Sequence, residues 1–80
     1  MKNLIYHLSN NWQRIEDRLE VNVYELDKGP LGTQIETHFG AARTVSWHAT
    51  KGLRGEIQRL AIAAYDAARR QQEADSRRLI

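Results

Sequence analysis

Three histidines, His7, His38 and His48, are the side chains in this sequence best suited to metal binding or proton transfer near neutral pH. No two of them are four residues apart, the spacing that places a metal-binding pair on one face of a helix. A three-histidine metal site would therefore need separate strands to bring them together. We interpret them as surface or interface histidines, and we predict neither a metal site nor a cofactor.

Other catalytic chemistry has little support in the sequence. Glu16 and Asp17 are adjacent, so a strand would direct them to opposite sides and a helix would separate them by about 100°, which makes a poor acid/base pair. The chain has no glycine-rich phosphate-binding loop and no nucleophile elbow. It also has no cysteine, which excludes disulfides and a thiol nucleophile and fits an intracellular setting. We predict that the protein is not an enzyme.

The size of the chain restricts the remaining functions. Its 80 residues form a single domain, residues 1–80, and a domain of this size buries only about 60% of its unfolded surface. Because little core remains to build a deep cleft, we expect the protein to act through its surface. No apolar run approaches the length of about 20 residues that crosses a bilayer, so we expect no membrane span and no signal peptide.

The formal charge of +2 is unevenly distributed, because residues 50–80 contain seven Lys or Arg against four Asp or Glu. Six arginines of this region could contact phosphates: Arg54, Arg59, Arg69, Arg70, Arg77 and Arg78. Interspersed acidic residues and a shortage of aromatic side chains for base stacking weaken this interpretation. A small DNA-binding or regulatory protein that uses its basic C-terminal helix is therefore the alternative function.

Alternation of apolar and polar residues predicts three strands in the middle of the chain. They cover residues 19–24, 34–39 and 43–48. A turn around Pro30 and a tight connection at Gly40 and Ala41 join them, which is typical of an antiparallel meander. Residues 3–8 are a fourth candidate strand whose facing the pattern leaves open. The spacing of Trp12, Ile15 and Leu19 favours a short irregular helix over an extended entry into the next strand.

The C-terminal segment has an apolar stripe of helical spacing. It consists of Leu53, Ile57, Leu60, Ala61, Ala64 and Ala68. We expect Thr50 to cap this helix, Asp66 and Arg70 to pair at i, i+4, as do Glu73 and Arg77, and residues 71–80 to form a frayed helix end or tail. The predicted fold is α+β: a four-stranded antiparallel sheet with one long C-terminal helix packed on one face.

One face of this sheet has no helix to cover it. We expect six apolar residues to face the helix: Val21, Val23, Ile35, Phe39, Val45 and Trp47. Period two then directs nine others outward. They are Glu20, Asn22, Tyr24, Gln34, Glu36, His38, Thr44, Ser46 and His48. Such a face can be simply solvated, but tyrosine beside carboxylates and amides is also typical of a recognition surface.

Four segments of the sequence together indicate a resemblance. They are the opening Met1–Ser9, the Val23–Glu25 strand, the pair Ile35 and Glu36, and an amphipathic C-terminal helix ending in Ala68, Arg69 and Arg70. In these segments the chain resembles a family of small phage anti-CRISPR proteins. The similarity is greatest to the type I-F inhibitor that consists of a four-stranded antiparallel sheet with C-terminal helices. It covers most of the chain in order and length, and the segment between Asn10 and Glu20 is longer and more charged here.

The resemblance implies a mechanism without catalysis. Such inhibitors bind the repeated backbone subunits of a crRNA-guided surveillance complex and prevent target DNA from pairing with the guide. By position, the family's contact residues fall on Tyr6, Tyr24 and Glu36. Tyr6 shares one side of a regular strand with Leu4 and Leu8, so a bulge or a partly uncovered strand end would be needed to expose it.

The resulting expectation is a phage protein that inhibits a type I-C or I-F surveillance complex in the cytoplasm of the bacterial host, as a monomer or weak dimer. The expected partner-binding residues are Tyr6, Tyr24, Glu36, Glu20, Asn22, His38, Arg14 and Arg18. A third interpretation is an interaction module that pairs with itself through the edge or face of its sheet.

Overall fold

A computed structural model describes residues 2–27, 32–50 and 53–78 of the chain, with side chains up to residue 75. Its elements are β1 (Lys2–Ser9), a 3-10 turn (Ile15–Asp17), β2 (Leu19–Leu26), β3 (Gly32–Phe39), β4 (Ala42–Ala49) and α1 (Arg54–Arg78). The strands form one antiparallel sheet in the order β1-β2-β3-β4, and α1 packs against β1, β2 and β3. This α+β fold is the predicted one. The predicted turn around Pro30 lies outside the described residues.

The core lies between the sheet and α1. Val21, Val23 and Ile35 are almost completely buried and pack against Ile57 and Ala61 of the helix. Ala61 has no exposed surface, which shows how closely the helix approaches the strands. The alternation predicted for β2 and β3 is thus confirmed, because their apolar residues share the helix-facing side of the sheet.

The predicted facing of β4 is wrong. Val45 and Trp47 were expected to face the helix, but they lie opposite Glu36 and Gln34 on the other face of the sheet. The turn sets this register: Gly40 and Ala41 form a two-residue connection that pairs Phe39 with Ala42. The helix-facing Ile35 is then opposite an even-numbered residue of β4. Three polar residues of β4 that were predicted to face outward consequently lie on the helix-facing side: Thr44, Ser46 and His48.

A bulge in β1 separates residues that a regular strand would place on one side. Leu4 pairs with Tyr24, but Tyr6 pairs with Val23, so Ile5 is an extra residue between them. Leu4 therefore lies on the uncovered face and Tyr6 lies on the helix-facing side, where it packs against the core. The predicted placement of Tyr6 among the exposed sheet contacts is wrong for this reason.

The segment between β1 and β2 contains the expected short helix as a single 3-10 turn. Asn10 anchors it, because its side chain donates to the carbonyl of Asp17 at 2.9 Å and accepts from the backbone N–H of Leu19 at 3.2 Å. Gln72 of α1 donates to the same Asp17 carbonyl at 3.2 Å. The part of α1 that follows residue 71 therefore contacts the segment between β1 and β2.

The start of α1 differs from the prediction. Thr50 is buried, its hydroxyl finds no hydrogen-bond partner among the described residues, and the helix begins only at Arg54. The backbone carbonyl of Thr50, and not its side chain, accepts a hydrogen bond from the N–H of Leu53 at 2.9 Å. Leu53 itself is largely exposed. Farther along the helix, Asp66 pairs with Arg69 at 3.5 Å instead of with Arg70.

Candidate functional site

The side of the sheet that α1 does not cover is here called the open face. The pairing of the strands assigns sixteen residues to it. They are Lys2, Leu4, His7, Ser9, Glu20, Asn22, Tyr24, Leu26, Gly32, Gln34, Glu36, His38, Arg43, Val45, Trp47 and Ala49. Five of the predicted partner-binding residues thus lie on one surface: Glu20, Asn22, Tyr24, Glu36 and His38.

Asn22 is the centre of a hydrogen-bond network on the open face. Its amide nitrogen donates to Glu20 Oε2 at 2.9 Å and to Glu36 Oε1 at 3.5 Å, and its amide oxygen accepts from His7 Nδ1 at 2.5 Å. The two carboxylates can only accept, so they determine the orientation of the amide and leave its oxygen for the N–H of His7. Asn22 therefore connects β1, β2 and β3 through side chains as well as through the backbone.

Glu36 is ionised and hydrogen-bonded on both of its oxygens. His38 Nε2 donates to Oε1 at 2.6 Å, and the Arg43 guanidinium donates to Oε2 from two nitrogens at 2.8 and 2.7 Å. The hydrogen bond from His38 and the bonds from Arg43 and Asn22 outweigh the cost of burial, and they lower the pKa of Glu36 from 4.5 to about 2. Only 8% of the residue surface is exposed, although no helix covers this face.

Glu20 forms a second centre beside the first. Burial would raise the pKa of this carboxyl, but hydrogen bonds from Asn22, Arg18 and Trp12 outweigh burial and lower it from 4.5 to about 2. Trp12 Nε1 donates at 3.2 Å and Arg18 at 3.1 Å, and the guanidinium carbon of Arg18 lies 5.0 Å from the centre of the Trp12 ring. The segment between β1 and β2 therefore closes over one end of the open face.

Tyr24 lies on the β1 side of the network. Burial raises the pKa of its hydroxyl, and the negative charges of Glu36 and Glu20 raise it further. The ammonium group of Lys2 lies over the ring, 4.5 Å from its centre. The tyrosine thus stays neutral and is held between a cation and the acidic centre.

Two large apolar side chains border the polar network at opposite edges of the sheet. Leu4 of β1 and Trp47 of β4 are each 55% exposed. Gln34, which lies opposite Trp47, is only 8% exposed. The open face thus has a hydrogen-bonded polar centre and exposed apolar groups at both edges.

The remaining predicted residues are placed differently. Arg18 takes part in the network through Glu20, whereas Arg14 forms an exposed pair with Glu16 at 2.6 Å in the preceding segment. Tyr6 lies on the other side of the sheet. Sequence reasoning missed the contributions of His7, Trp12, Arg43 and Trp47, because each depends on the register or on the path of a loop. Alternation along β1 and β4 would have found some of them if the bulge and the turn had been known.

The described residues hold no group of three or more His, Cys, Asp or Glu suited to a metal ion. His38 lies opposite Arg43, while His48 is on the helix-facing side and bonds Ser46 at 2.9 Å. The prediction that His48 shares the outward face with His38 is therefore wrong. Within the described part of the chain, no helix is long and apolar enough to span a membrane.

A cavity of about 420 Å³ lies between β1 and the start of α1, away from the open face. Its lining combines apolar side chains with a carboxylate, a guanidinium and an amide: Ile5, Tyr6, Ile57, Glu25, Arg54 and Gln58.

Comparison of the chain with protein-family models, curated proteins and solved structures finds no match.

Proposed function

We propose that the open face binds a protein partner, and that the protein is a phage anti-CRISPR protein whose partner is the repeated backbone subunit of a type I-C or I-F surveillance complex. Bound there, it prevents target DNA from pairing with the guide and needs no catalytic step. The observation that supports binding is the hydrogen-bonded polar network with exposed apolar side chains at its borders. The sequence resemblance supports the choice of partner.

The network favours recognition over catalysis because its carboxylates are already fully engaged. A carboxyl group with a pKa of about 2 has no proton to donate at neutral pH, and Glu20 and Glu36 each accept hydrogen bonds from three side chains. These hydrogen bonds are already formed in the free protein, so less side-chain freedom remains to be lost when a partner binds. A surface prepared in this way presents the same polar pattern before and after association.

The strongest contacts are expected from aromatic and arginine side chains at the edge of the network. Trp47 and Arg43 lie on β4 and Tyr24 lies on β2, and these residue types dominate the binding energy of protein interfaces. Half of the Arg43 side chain remains exposed although it is paired with Glu36. Its guanidinium can therefore contact a partner and keep its intramolecular bonds.

The test measures binding of the purified protein to type I-C and type I-F surveillance complexes and the loading of labelled target DNA on them. We expect Trp47→Ala and Tyr24→Ala each to weaken binding by about 1 to 3 kcal/mol, which is about fivefold or more. Leu53→Ala is the matched control, because Leu53 is equally exposed but lies at the start of α1. It should bind like the wild type.

The outcomes separate the alternatives. Unchanged DNA loading on every type I complex would contradict the proposed partner. Full binding by both aromatic variants would contradict the proposed surface. Salt-sensitive retardation of free duplex DNA that disappears in an Arg69→Ala, Arg70→Ala double variant would instead support the DNA-binding alternative.

A further inference from the structure

We infer that β4 is a self-pairing edge: two copies of the protein join antiparallel through their β4 strands and form one continuous eight-stranded sheet. The strand is eight residues long, regular and without proline. None of the other described strands pairs with its outer side. A long, regularly paired and largely uncharged edge of this kind readily pairs with another strand.

The backbone groups available at this edge follow from the β3–β4 register. Because a two-residue loop connects the strands, Phe39 and Ala42 exchange both backbone hydrogen bonds, and such pairs recur at every second residue. Even-numbered residues of β4 therefore bond to β3. Arg43, Val45 and Trp47 direct their N–H and C=O groups away from the sheet, where a further strand can bond to them.

The opposite edge of the sheet is protected. In β1 the bulge at Ile5 interrupts the regular spacing of backbone groups, and Lys2 is an edge lysine. These two features discourage the addition of a strand to β1. β4 has no bulge in its described pairing, and Arg43, its one charged residue, is neutralised by Glu36 at 2.7 Å. Two copies of β4 therefore meet without repulsion between like charges.

One register is complementary to itself. With the two-fold axis at Val45, the two valines lie opposite each other, and each Arg43 lies opposite Trp47 of the second copy. The exposed tryptophan thereby gains an arginine for a cation–π contact. On the helix-facing side, Thr44 lies opposite Ser46 of the second copy, and these side chains can hydrogen-bond. These matches favour a second copy over an unrelated strand.

The interface is small, because one pair of edge strands buries less than a standard protein interface. We therefore expect weak dimerisation. The protein should be monomeric at about 1 µM, and dimers of twice the monomer mass should be populated at about 1 mM. The two open faces would be continuous in this dimer. The inference does not rest on the proposed partner, because self-association is measured on the protein alone.

The first experiment traps the register with single cysteines in a chain that has none of its own. Val45→Cys should form a disulfide-linked dimer on mild oxidation, because paired Cα atoms about 5.5 Å apart are within disulfide range. Trp47→Cys is the matched control. Its two copies would be about four residues apart along the strands and should not cross-link. Equal cross-linking of both variants, or none by Val45→Cys, overturns the proposed register.

The second experiment measures mass by sedimentation equilibrium as a function of concentration. Val45→Pro removes an outward N–H without breaking a bond to β3, whereas Val45→Thr keeps that N–H. We expect Val45→Thr to associate like the wild type and Val45→Pro to remain monomeric with a native circular dichroism spectrum. A wild type that stays at the 9.3 kDa monomer mass up to about 1 mM contradicts the inference, as does undiminished association of Val45→Pro.

Discussion

Replacing Glu36 by Gln tests whether the ionised network stabilises the open face. The substitution keeps the shape of the side chain and one carbonyl acceptor, but it removes the charge and turns an NH₂ group toward donors. His38 and Arg43 donate to this carboxylate at 2.6 to 2.8 Å, and only a tenth of the glutamate side chain is exposed. The charged acceptor is therefore lost at a buried position, where water is a poor replacement for it.

The size of the effect follows from the pKa of Glu36. A carboxyl whose pKa falls from 4.5 unfolded to about 2 folded adds at most about 3 kcal/mol at neutral pH. The amide retains part of the hydrogen bonding, and Arg43 is half exposed and can turn to solvent. We therefore expect Glu36→Gln to lower the free energy of unfolding by about 2 kcal/mol at pH 7.

The pH dependence has a definite sign. Because the folded pKa of Glu36 is lowered, its contribution is complete above pH 4.5 and is lost as the pH falls toward 2. The difference between the variant and the wild type should therefore shrink steadily as the pH falls below 4.5.

The assay is urea unfolding followed by circular dichroism at pH 7, 5.5, 3.5 and 2.5. Glu16→Gln is the control, because Glu16 also pairs with an arginine but its side chain and that of Arg14 are 54% and 77% exposed. We expect it to cost about 0.5 kcal/mol or less. Glu36→Gln with wild-type stability at pH 7, or with a deficit unchanged at pH 2.5, would refute the reasoning.

Three further predictions concern the scaffold. Ala61→Leu should destabilise the protein by about 1 to 3 kcal/mol in thermal unfolding, because Ala61 is completely buried, whereas Ala67→Leu on the exposed side should have little effect. Gly40→Ala should cost about 1 kcal/mol in urea unfolding, since φ is 57° and a Cβ would meet no atom closer than 3.6 Å. Asn10→Ala should cost about 1 to 2 kcal/mol by the same assay, because two hydrogen bonds are lost; wild-type stability would show that they contribute nothing.

The central part of the fold could be predicted because local pattern and tertiary packing agree there. In β2, Val21 and Val23 alternate with polar residues and pack against α1, so period two gives the correct facing. In β4 the pattern misled, because Val45 and Trp47 alternate just as regularly but lie beyond the strands on which α1 packs. Alternation shows that two residues share a side, but it does not show which side is buried.

The sequence predicts which residues belong to the candidate site better than it predicts how their side chains are arranged. Once β2 and β3 are aligned, Glu20, Asn22 and Glu36 must share a face. That Asn22 joins both carboxylates could not be predicted, because it depends on a pairing offset that alternation alone does not determine. The inward position of Tyr6 depends on a bulge, and no glycine or proline in β1 marks it.

The geometry also changes the role expected for Glu36 in binding. The resemblance implies a direct contact, but both oxygens of Glu36 are occupied and the residue is only 8% exposed. A partner would meet the more exposed Arg43 and Trp47 first, and Glu36 holds Arg43 in place. On the proposed function, Glu36→Gln should therefore weaken binding less than Trp47→Ala and mainly through a faster dissociation rate, as measured by surface plasmon resonance. A greater loss for Glu36→Gln at a pH and temperature where the variant is fully folded would show that the partner contacts this carboxylate directly.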